Sequence, residues 1–292
     1  MKLRTYVILF LFAALAPALL RAEENRDSLS LVTAEWNEEQ LNRKVTFRQG
    51  FFKGNLFESN QIISIIEIKG AKKKRNSPYF AFAAEEELTR TSEMAVKHDA
   101  LAAVNGNFFS FKKPHNSVDY LKINGTEICG NNGGDSRRGF NQTGVMTIDR
   151  KGRIAILKPD STDKEWERIL DAPDIMTAGP LLMISGKKEP LEESSFYTTR
   201  HPRTAVAILD NGNILLVTVD GRNAMAQGMS LEELQSTLGW LGAKDLINLD
   251  GGGSTTMYIK GKEVVNHPSD NKKLDHLGER KVANSLLLLF AE

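Results

Sequence analysis

The sequence of 292 residues has little of what would assign a class directly. It contains one cysteine, Cys129, so no disulfide can form within the chain. Its 38 basic and 37 acidic residues nearly balance, which gives no reason to expect nucleic acid or an anionic membrane surface as a partner. Aromatic residues make up only 8% of the chain, which argues against a binding module built on aromatic platforms.

Signatures of metal and serine-hydrolase chemistry are also missing. His98, His267 and His276 show no metal-binding spacing with Cys129 or with one another. No Gly-x-Ser-x-Gly elbow surrounds Ser254, which argues against a serine-hydrolase triad. We therefore expect no obligatory metal and no other cofactor; a cation shared by two of the aspartates named below is the alternative.

The apolar stretch at residues 7–20 is too short for a comfortable membrane span. Lys2 and Arg4 precede it and a small residue, Ala22, follows, which predicts a signal peptide over residues 1–22. An uncleaved anchor is the alternative. Cleavage would remove three basic residues and no acidic one, leaving a formal charge of −2. We expect a secreted or periplasmic protein of bacterial source, because exported chains without disulfides are typical of bacteria, with no membrane span after cleavage.

Most of the chain is a succession of short apolar segments bounded by turn residues. The segments that favour strands lie at residues 45–50, 61–68, 78–84, 100–104, 144–157, 205–219, 245–249, 257–265 and 282–290. This pattern predicts an α+β fold, with a mixed, largely antiparallel sheet and a few packed helices. The hairpins expected at residues 144–157 and 205–219 are similar, which suggests an internal duplication.

Two segments predict helices. Residues 85–98 have apolar positions near helical spacing. Residues 230–242 are the clearer case, because Ser230 is an N-cap and Glu233 completes a capping box.

The expected organisation places most of the chain in one unit. Residues 23–94, with the N-terminal strands and the first helix, are expected to belong to the same domain as residues 95–292. Within the latter, residues 112–143 are polar and glycine-rich. We expect them to form long loops over one face, where binding residues often lie.

The most informative stretch, residues 248–256, reads Asn-Leu-Asp-Gly-Gly-Gly-Ser-Thr-Thr at the end of an apolar run. Glycine lets backbone N–H groups approach a ligand, and successive N–H groups can form an anion-binding nest. A tight turn between strands is the alternative. Other polar residues also stand at the ends of expected strands, namely Asn105, Arg203, Asp220, Arg222, Arg280 and Asn284.

The types of these residues point to an anionic ligand. Arginine presents a planar fork of donors to phosphate or carboxylate, so Arg203, Arg222 and Arg280 would suit one anionic group together with the glycine nest. Asp220 and Asp250 could stabilise developing positive charge or activate water. Surface or salt-bridge roles for the arginines, and a turn-capping role for Asp220, are the alternatives.

Over about residues 95–290 the chain resembles the phosphodiester glycosidase family. The matching segments are residues 105–109, 179–180, 203–205, 219–222, 228–230, 249–254 and 280–284. The chain departs from the family at Asn107, where a glycine or a small residue is usual.

This resemblance implies hydrolysis of the glycosidic C–O bond of a sugar-1-phosphodiester, which releases free sugar and a phosphomonoester. It implies that Asp250 is the catalytic carboxylate and that Asp220 is its partner or a ligand of a sugar hydroxyl. Asn105 and Ser254 would orient the substrate. The phosphate would be held by arginines and by N–H groups of the turn, namely Arg203, Arg222, Arg280, Gly251, Gly252, Gly253 and Ser254.

Two other functions stay open. The first is a non-catalytic glycan or cell-wall binding module on the same scaffold, although the aspartates, arginines and serine favour an enzyme. The second is a phosphodiesterase that cuts P–O rather than C–O bonds. In each case the expected partner is a glycan or sugar phosphodiester, and the sequence indicates no oligomeric state.

Overall fold

The computed structural model describes residues 26–113, 116–131 and 138–291. The predicted signal peptide, residues 1–22, lies outside these ranges. Among the helices of the described residues, none is both long and apolar enough to cross a membrane.

The largest sheet has eight strands. Their order across the sheet is β1 (Asn37–Asn42), β2 (Val45–Leu56), β3 (Ser59–Ile68), β14 (Ile214–Val219), β13 (Arg203–Leu209), β15 (Ala243–Asn248), β11 (Leu181–Ile184) and β12 (Lys187–Lys188). Strand β3 is apolar on both faces because both faces of this sheet are covered.

Two five-stranded sheets complete the β structure of the residues that the structure describes. One has the order β7 (Thr126–Cys129), β6 (Leu121–Ile123), β10 (Asp174–Ala178), β8 (Gly144–Ile148) and β9 (Ile154–Leu157). The other has the order β17 (Glu263–Val264), β16 (Met257–Ile259), β5 (Ala102–Asn105), β18 (Lys281–Ala291) and β4 (Ser77–Arg90). Inward-facing side chains of all three sheets form one buried core, for example Ile66, Val104 and Met146.

The α+β prediction is confirmed, with a difference in detail. The described part of the chain forms three sheets where the sequence predicts one. Every pairing between the described strands is antiparallel, so the parallel pairs of a mixed sheet do not occur among them. The hairpins predicted at residues 144–157, 205–219 and 257–265 are confirmed.

The two similar hairpins occupy different places. β8–β9 ends a five-stranded sheet, whereas β13–β14 lies inside the eight-stranded sheet. The suggested duplication stays a prediction. The N-terminal strands share sheets with later ones, since β3 pairs with β14 and β4 pairs with β18.

The helices are short and cover the outer faces of the sheets. They are α1 (26–32), α2 (Thr91–Lys97), α3 (Ser195–Thr198) and α4 (Leu231–Trp240). The capping box of α4 is confirmed: the Glu233 N–H donates to the Ser230 hydroxyl at 3.1 Å, and the Ser230 N–H donates to the Glu233 carboxylate at 2.9 Å. Leu231, Leu234 and Leu238 of this helix are buried against the eight-stranded sheet.

The predicted helix over residues 85–98 is wrong in its first half. β4 continues to Arg90, and helix α2 begins only at Thr91. The reason is tertiary pairing: Lys281 and Val282 of β18 pair with Arg90 and Thr89. β18 also pairs with Ala84, and the ladder is irregular between Ala84 and Thr89. Pairing on both sides of the three consecutive glutamates therefore keeps the chain extended against their helix propensity.

The described part of residues 112–143 is more ordered than the expected long loops. It contains β6, β7 and a 3-10 turn over Phe140–Gln142. The Arg138 guanidinium binds the buried Glu167 carboxylate with two parallel hydrogen bonds of 2.6 and 2.8 Å. This ion pair fixes the segment that leads into β8.

Candidate functional site

Polar residues meet where three central strands of the eight-stranded sheet, β13, β14 and β15, begin or end; we call this the site end of the sheet. β13 lies between β14 and β15 and is antiparallel to both, so the ends of its two neighbours flank its start. Asp220 follows β14 and Asp250 follows β15. A Cβ atom at Gly221 would lie 2.6 Å from the Pro202 nitrogen, and one at Gly251 would lie 2.6 Å from the Pro202 oxygen. The two aspartates therefore leave the sheet on either side of the same proline.

Asn105, at the end of β5, holds the main chain of Asp250. Its Nδ2 donates to the Asp250 carbonyl at 2.7 Å. Its Oδ1 accepts hydrogen bonds from the Thr204 hydroxyl at 2.8 Å and from the Thr256 N–H at 3.1 Å. The Asp250 N–H donates to the Gly106 carbonyl at 3.1 Å. Asn105 is fully buried, so the structure places its amide against the protein backbone.

The Asp250 carboxyl group lies in a poorly solvated but partly accessible position. Burial raises its pKa to about 6, although the Ser254 hydroxyl and the positive charges of Arg280 and Arg222 act to lower the pKa. Ser254 is buried, and its hydroxyl makes no hydrogen bond of normal geometry with the described residues. That hydroxyl is therefore near enough to stabilise the Asp250 charge and still able to bind a ligand.

Arg222 is the most available of the three predicted arginines. It is exposed and has a φ of 62°, a left-handed conformation that is costly for a residue with a side chain. Its guanidinium lies over the glycine turn, because a Cβ at Gly252 would be 2.8 Å from Nη2. Gly252 itself has a φ of 62°. With the described residues Arg222 makes neither a hydrogen bond nor an ion pair, although its charge acts on Asp250.

Arg280 lies on the next glycine and has a carboxylate partner. Its Nη2 and Nε donate to the two Asp270 oxygens at 2.6 and 2.7 Å. The Arg280 and Asp270 side chains occupy the space that a Cβ at Gly253 would need. The guanidinium also lies 5.5 Å from the ring centre of Phe111, which is 62% exposed. Arg280 is thus oriented from two sides beside Asp250.

Arg203 is 2% exposed, and its donors point into the protein. Nε donates to the Met229 carbonyl at 2.8 Å, and Nη2 donates to the Phe196 and Thr199 carbonyls at 3.0 and 2.9 Å. Burial lowers the pKa of Arg203 to about 10, so the group stays charged at neutral pH. Among the described residues no carboxylate forms an ion pair with it. The carboxylate whose charge acts on Arg203, Glu233, is itself ion-paired with Arg200. Arg203 is thus a buried positive charge that forms no ion pair within the described part of the chain.

The N–H groups of the glycine turn are largely used within the protein. The Gly252 N–H donates to the Pro202 carbonyl at 2.8 Å, and the Ser254 N–H donates to the Gly251 carbonyl at 3.2 Å. The Gly251 N–H stabilises the ionised Asp250. The turn thus supports Asp250 more than it forms the open nest that the sequence predicts.

Asp220 is paired with a histidine that the sequence did not single out. Its carboxylate lies 2.7 Å from Nδ1 of His267 and accepts the His267 N–H at 3.0 Å. Asn266 donates to the same carboxylate at 3.1 Å. The two partners are 47 residues apart, and no local sequence pattern links them.

An aromatic cluster borders the site end of the sheet. The rings of Phe108, Phe140 and Phe196 lie with centroids 4.4 to 6.1 Å apart. Phe140 is 39% exposed, so part of the cluster faces solvent. Arg203 lies 5.4 Å from the Phe196 ring centre. This surface could contact the apolar face of a sugar ring.

Asn107, where the chain departs from the family it resembles, has a structural explanation. Its N–H and its Oδ1 are bonded to the side chain of Asn284 on β18 at 3.0 and 2.8 Å. Its Nδ2 donates to the Thr177 carbonyl on β10 at 2.7 Å. The amide therefore joins two sheets beside the loop that carries Phe108.

Two other polar features include none of the predicted site residues. Asp119 is fully buried, and burial raises its pKa to about 7, although hydrogen bonds from the Gln142 and Asn141 amides act to lower it. A cavity of about 650 Å³ is lined in part by Lys158 and Glu189 and shares no predicted site residue. Within the described ranges, no cluster of three or more His, Cys, Asp or Glu side chains could hold a metal ion.

Comparison with known proteins gives a family match over more than half of the chain. Residues 98–289 match the phosphodiester glycosidase family. A curated relative, the SPbeta prophage-derived uncharacterized protein YomE of Bacillus subtilis, is 30% identical over 93 residues. That alignment covers 32% of this chain and only 13% of the relative, so the chain matches a small part of that protein.

Solved structures share the fold at low identity. The zebrafish N-acetylglucosamine-1-phosphodiester alpha-N-acetylglucosaminidase catalytic domain has a TM-score of 0.63 at 17% identity, and the match covers 88% of each chain. A hypothetical protein from Synechocystis has a TM-score of 0.63 at 16% identity and covers 88% of this chain and 64% of that one. A putative exported protein from Burkholderia pseudomallei has a TM-score of 0.57 at 17% identity, covering 81% and 75%.

Proposed function

Because the chain belongs to the phosphodiester glycosidase family, we propose that it hydrolyses the glycosidic C–O bond of a sugar-1-phosphodiester. The products are free sugar and a phosphomonoester. The observation that carries this proposal is the desolvated Asp250 carboxyl group with Arg222 and Arg280 beside it, which brings a catalytic carboxylate and two anion-binding groups to one turn.

The charge distribution supports an anionic substrate. Arg222 makes neither a hydrogen bond nor an ion pair with the described residues, and Arg203 is a buried cation that forms no ion pair with a described carboxylate. Burying a charge without a counter-ion costs several kcal/mol in principle, so a bound anion would stabilise this arrangement. Arg222 and Arg280 contact the phosphate in our proposal. Arg203, which is buried, raises the positive potential at the site and orders the start of β13.

Asp250 acts as the catalytic carboxylate. In its ionised form it stabilises the positive charge that develops at the anomeric carbon as the phosphate leaves. The leaving group is a weakly basic phosphate. Binding of the diester and stabilisation of the positive charge at the anomeric carbon therefore matter more than a strong general acid. Ser254 binds the substrate through its hydroxyl, and Asn105 acts by holding the main chain of Asp250.

The second candidate is a non-catalytic glycan-binding module. The partly exposed cluster of Phe108, Phe140 and Phe196 favours it, because aromatic rings are suited to sugar faces. The same cluster would serve an enzyme equally, whereas a binding module has no use for a desolvated carboxyl group beside two arginines.

The test is incubation with a panel of sugar-1-phosphodiesters beside the Asp250→Asn variant. The proposal predicts free sugar and phosphomonoester with the wild-type protein and none with the variant. Thermal unfolding of both proteins controls for folding. Retained glycan binding without turnover by the wild type would favour the binding module, and full activity of a folded Asp250→Asn variant would remove Asp250 from the chemistry.

We also propose that the protein is exported from a bacterial cell. The support is the basic start and the short apolar stretch at residues 7–20. Fractionation of cells that express the full chain tests this. Mature protein beginning after Ala22 outside the cytoplasm is expected, and full-length protein in the cytoplasm would contradict it.

A further inference from the structure

Asp220 and His267 form a dyad whose geometry is that of an oriented base. Asp220 is 1% exposed and its side chain accepts three hydrogen bonds, from Asn266 Nδ2, from the His267 N–H and from His267 Nδ1. The His267 side chain keeps 14% of its surface exposed. The carboxylate is thus enclosed while the imidazole reaches the solvent side.

The hydrogen bonds fix the tautomer of the ring. An ionised carboxylate can only accept hydrogen bonds, so the proton of His267 lies on Nδ1. The other nitrogen, Nε2, then carries a lone pair and is the basic atom. His276 stacks on one face of this ring with centroids 4.6 Å apart and donates its own Nδ1 proton to the Asn266 carbonyl. The ring of His267 is therefore held by both its edge and its face.

Asn266 joins the dyad to the turn that carries Asp250. Its Nδ2 donates to Asp220 and to the Thr255 carbonyl, each at 3.1 Å. Its Oδ1 accepts the Met257 N–H at 2.7 Å. The position of His267 is thereby fixed relative to the residues that follow Asp250.

We propose that His267 is the general base of the hydrolysis, an inference that rests on the proposed function. Nε2 takes a proton from a water molecule as the water oxygen bonds to the anomeric carbon. The C–O bond to the phosphate breaks, and its electron pair leaves with the phosphoryl oxygen. Asp220 stabilises the imidazolium, which then releases its proton to solvent. Asp250 stabilises the anomeric charge, so the two aspartates have separate tasks.

The test uses a variant that keeps the contact with Asp220 but removes the base. In His267→Asn the amide nitrogen can replace Nδ1 as donor to Asp220, and nothing replaces Nε2. We expect kcat to fall about 10²- to 10⁴-fold, with KM and the melting temperature unchanged. Azide attacks without losing a proton, so it should restore turnover of the variant and yield a glycosyl azide. His98→Asn, at the exposed end of α2, is the matched control and should behave as wild type.

Several outcomes would overturn the inference. Wild-type kcat in His267→Asn would do so, as would a loss of activity that azide does not restore, because a structural role predicts no rescue. If His267→Asn does not fold, His267→Gln is assayed in the same way. Absence of turnover by the wild type on every sugar-1-phosphodiester would instead reject the proposed function, and this inference with it.

Discussion

At the scale of single residues, Asp250 is held where its ionised form is disfavoured. Burial raises its pKa from 3.8 to about 6. The folded protein thus retains a proton between these values that the unfolded chain releases, and the ionised group lowers stability at higher pH. We expect Asp250→Asn to raise the free energy of unfolding at pH 7 by about 1 to 3 kcal/mol while abolishing turnover. Urea unfolding measures the first effect, and a less stable variant would contradict this description of the site.

Arg222 gives a second prediction at this scale. Its backbone conformation is left-handed, and it makes no hydrogen bond or ion pair with the described residues, so the fold gains little from the side chain. Arg222→Gly should raise KM for a phosphodiester about 10- to 100-fold, as expected for one charged hydrogen-bonding contact. Its stability should be unchanged or higher by about 1 kcal/mol. Arg222→Lys, which keeps the charge, should show a smaller rise in KM, and an unchanged KM in both variants would exclude Arg222 from substrate binding.

The sequence could predict which types of residue form the site, but not which of their side chains are free to bind a substrate. Asp250 and Arg222 stand beside glycines at strand ends, which is a local pattern. The burial of Arg203 depends on carbonyl groups of α3 and of Met229, and the Asp220–His267 contact joins residues 47 positions apart. Both depend on tertiary packing that no local pattern records.

At the scale of elements, the Arg138–Glu167 ion pair secures the segment before β8. The side chains are 3% and 0% exposed, and Thr177 of β10 also donates to Glu167 at 2.6 Å. Glu167→Gln would leave a buried guanidinium without its counter-charge, so we expect a loss of about 3 kcal/mol of stability. Denaturant unfolding measures it.

The exposed Arg150–Asp171 pair is the matched control. Its side chains are 75% and 86% exposed, and Asp171→Asn should leave stability nearly unchanged. Equal effects of Glu167→Gln and Asp171→Asn would show that the buried pair does not secure this segment.

Elements with local signals could be predicted from the sequence, and those set by pairing could not. α4 has its cap and its apolar face within thirteen residues, and the hairpins have their turns within the chain segment. By contrast, β4 continues to Arg90 because β18, almost two hundred positions later in the sequence, pairs with Ala84, Thr89 and Arg90. The sorting of strands into three sheets likewise depends on long-range pairing.

At the scale of the whole molecule, buried acids make stability depend on pH. Burial raises the pKa of Asp119 to about 7 and that of Asp250 to about 6. Both groups hold protons in the folded state that the unfolded chain has released, so stability should fall as pH rises from 5 to 8. We expect a fall of about 2 to 4 kcal/mol, measured by urea unfolding at the two pH values.

A variant of Asp119 tests whether the buried acids, rather than other charged groups, cause this pH dependence of stability. Asp119→Asn should remove the larger part of the pH dependence, because Asp119 has the larger rise in pKa. Asp210→Asn, at an exposed position, should leave the dependence as in the wild type. Stability that rises between pH 5 and 8 in the wild type would contradict the assignment of protons to the two buried acids.

The proposed function requires that the protein cleaves the bond between the anomeric carbon and the phosphate oxygen. The test is hydrolysis of a sugar-1-phosphodiester in water enriched in oxygen-18. Mass spectrometry of early samples then measures the oxygen-18 content of both products. Cleavage of the C–O bond predicts oxygen-18 in the released sugar and none in the phosphomonoester. Oxygen-18 in the phosphomonoester would show cleavage of the P–O bond and would contradict the proposed function.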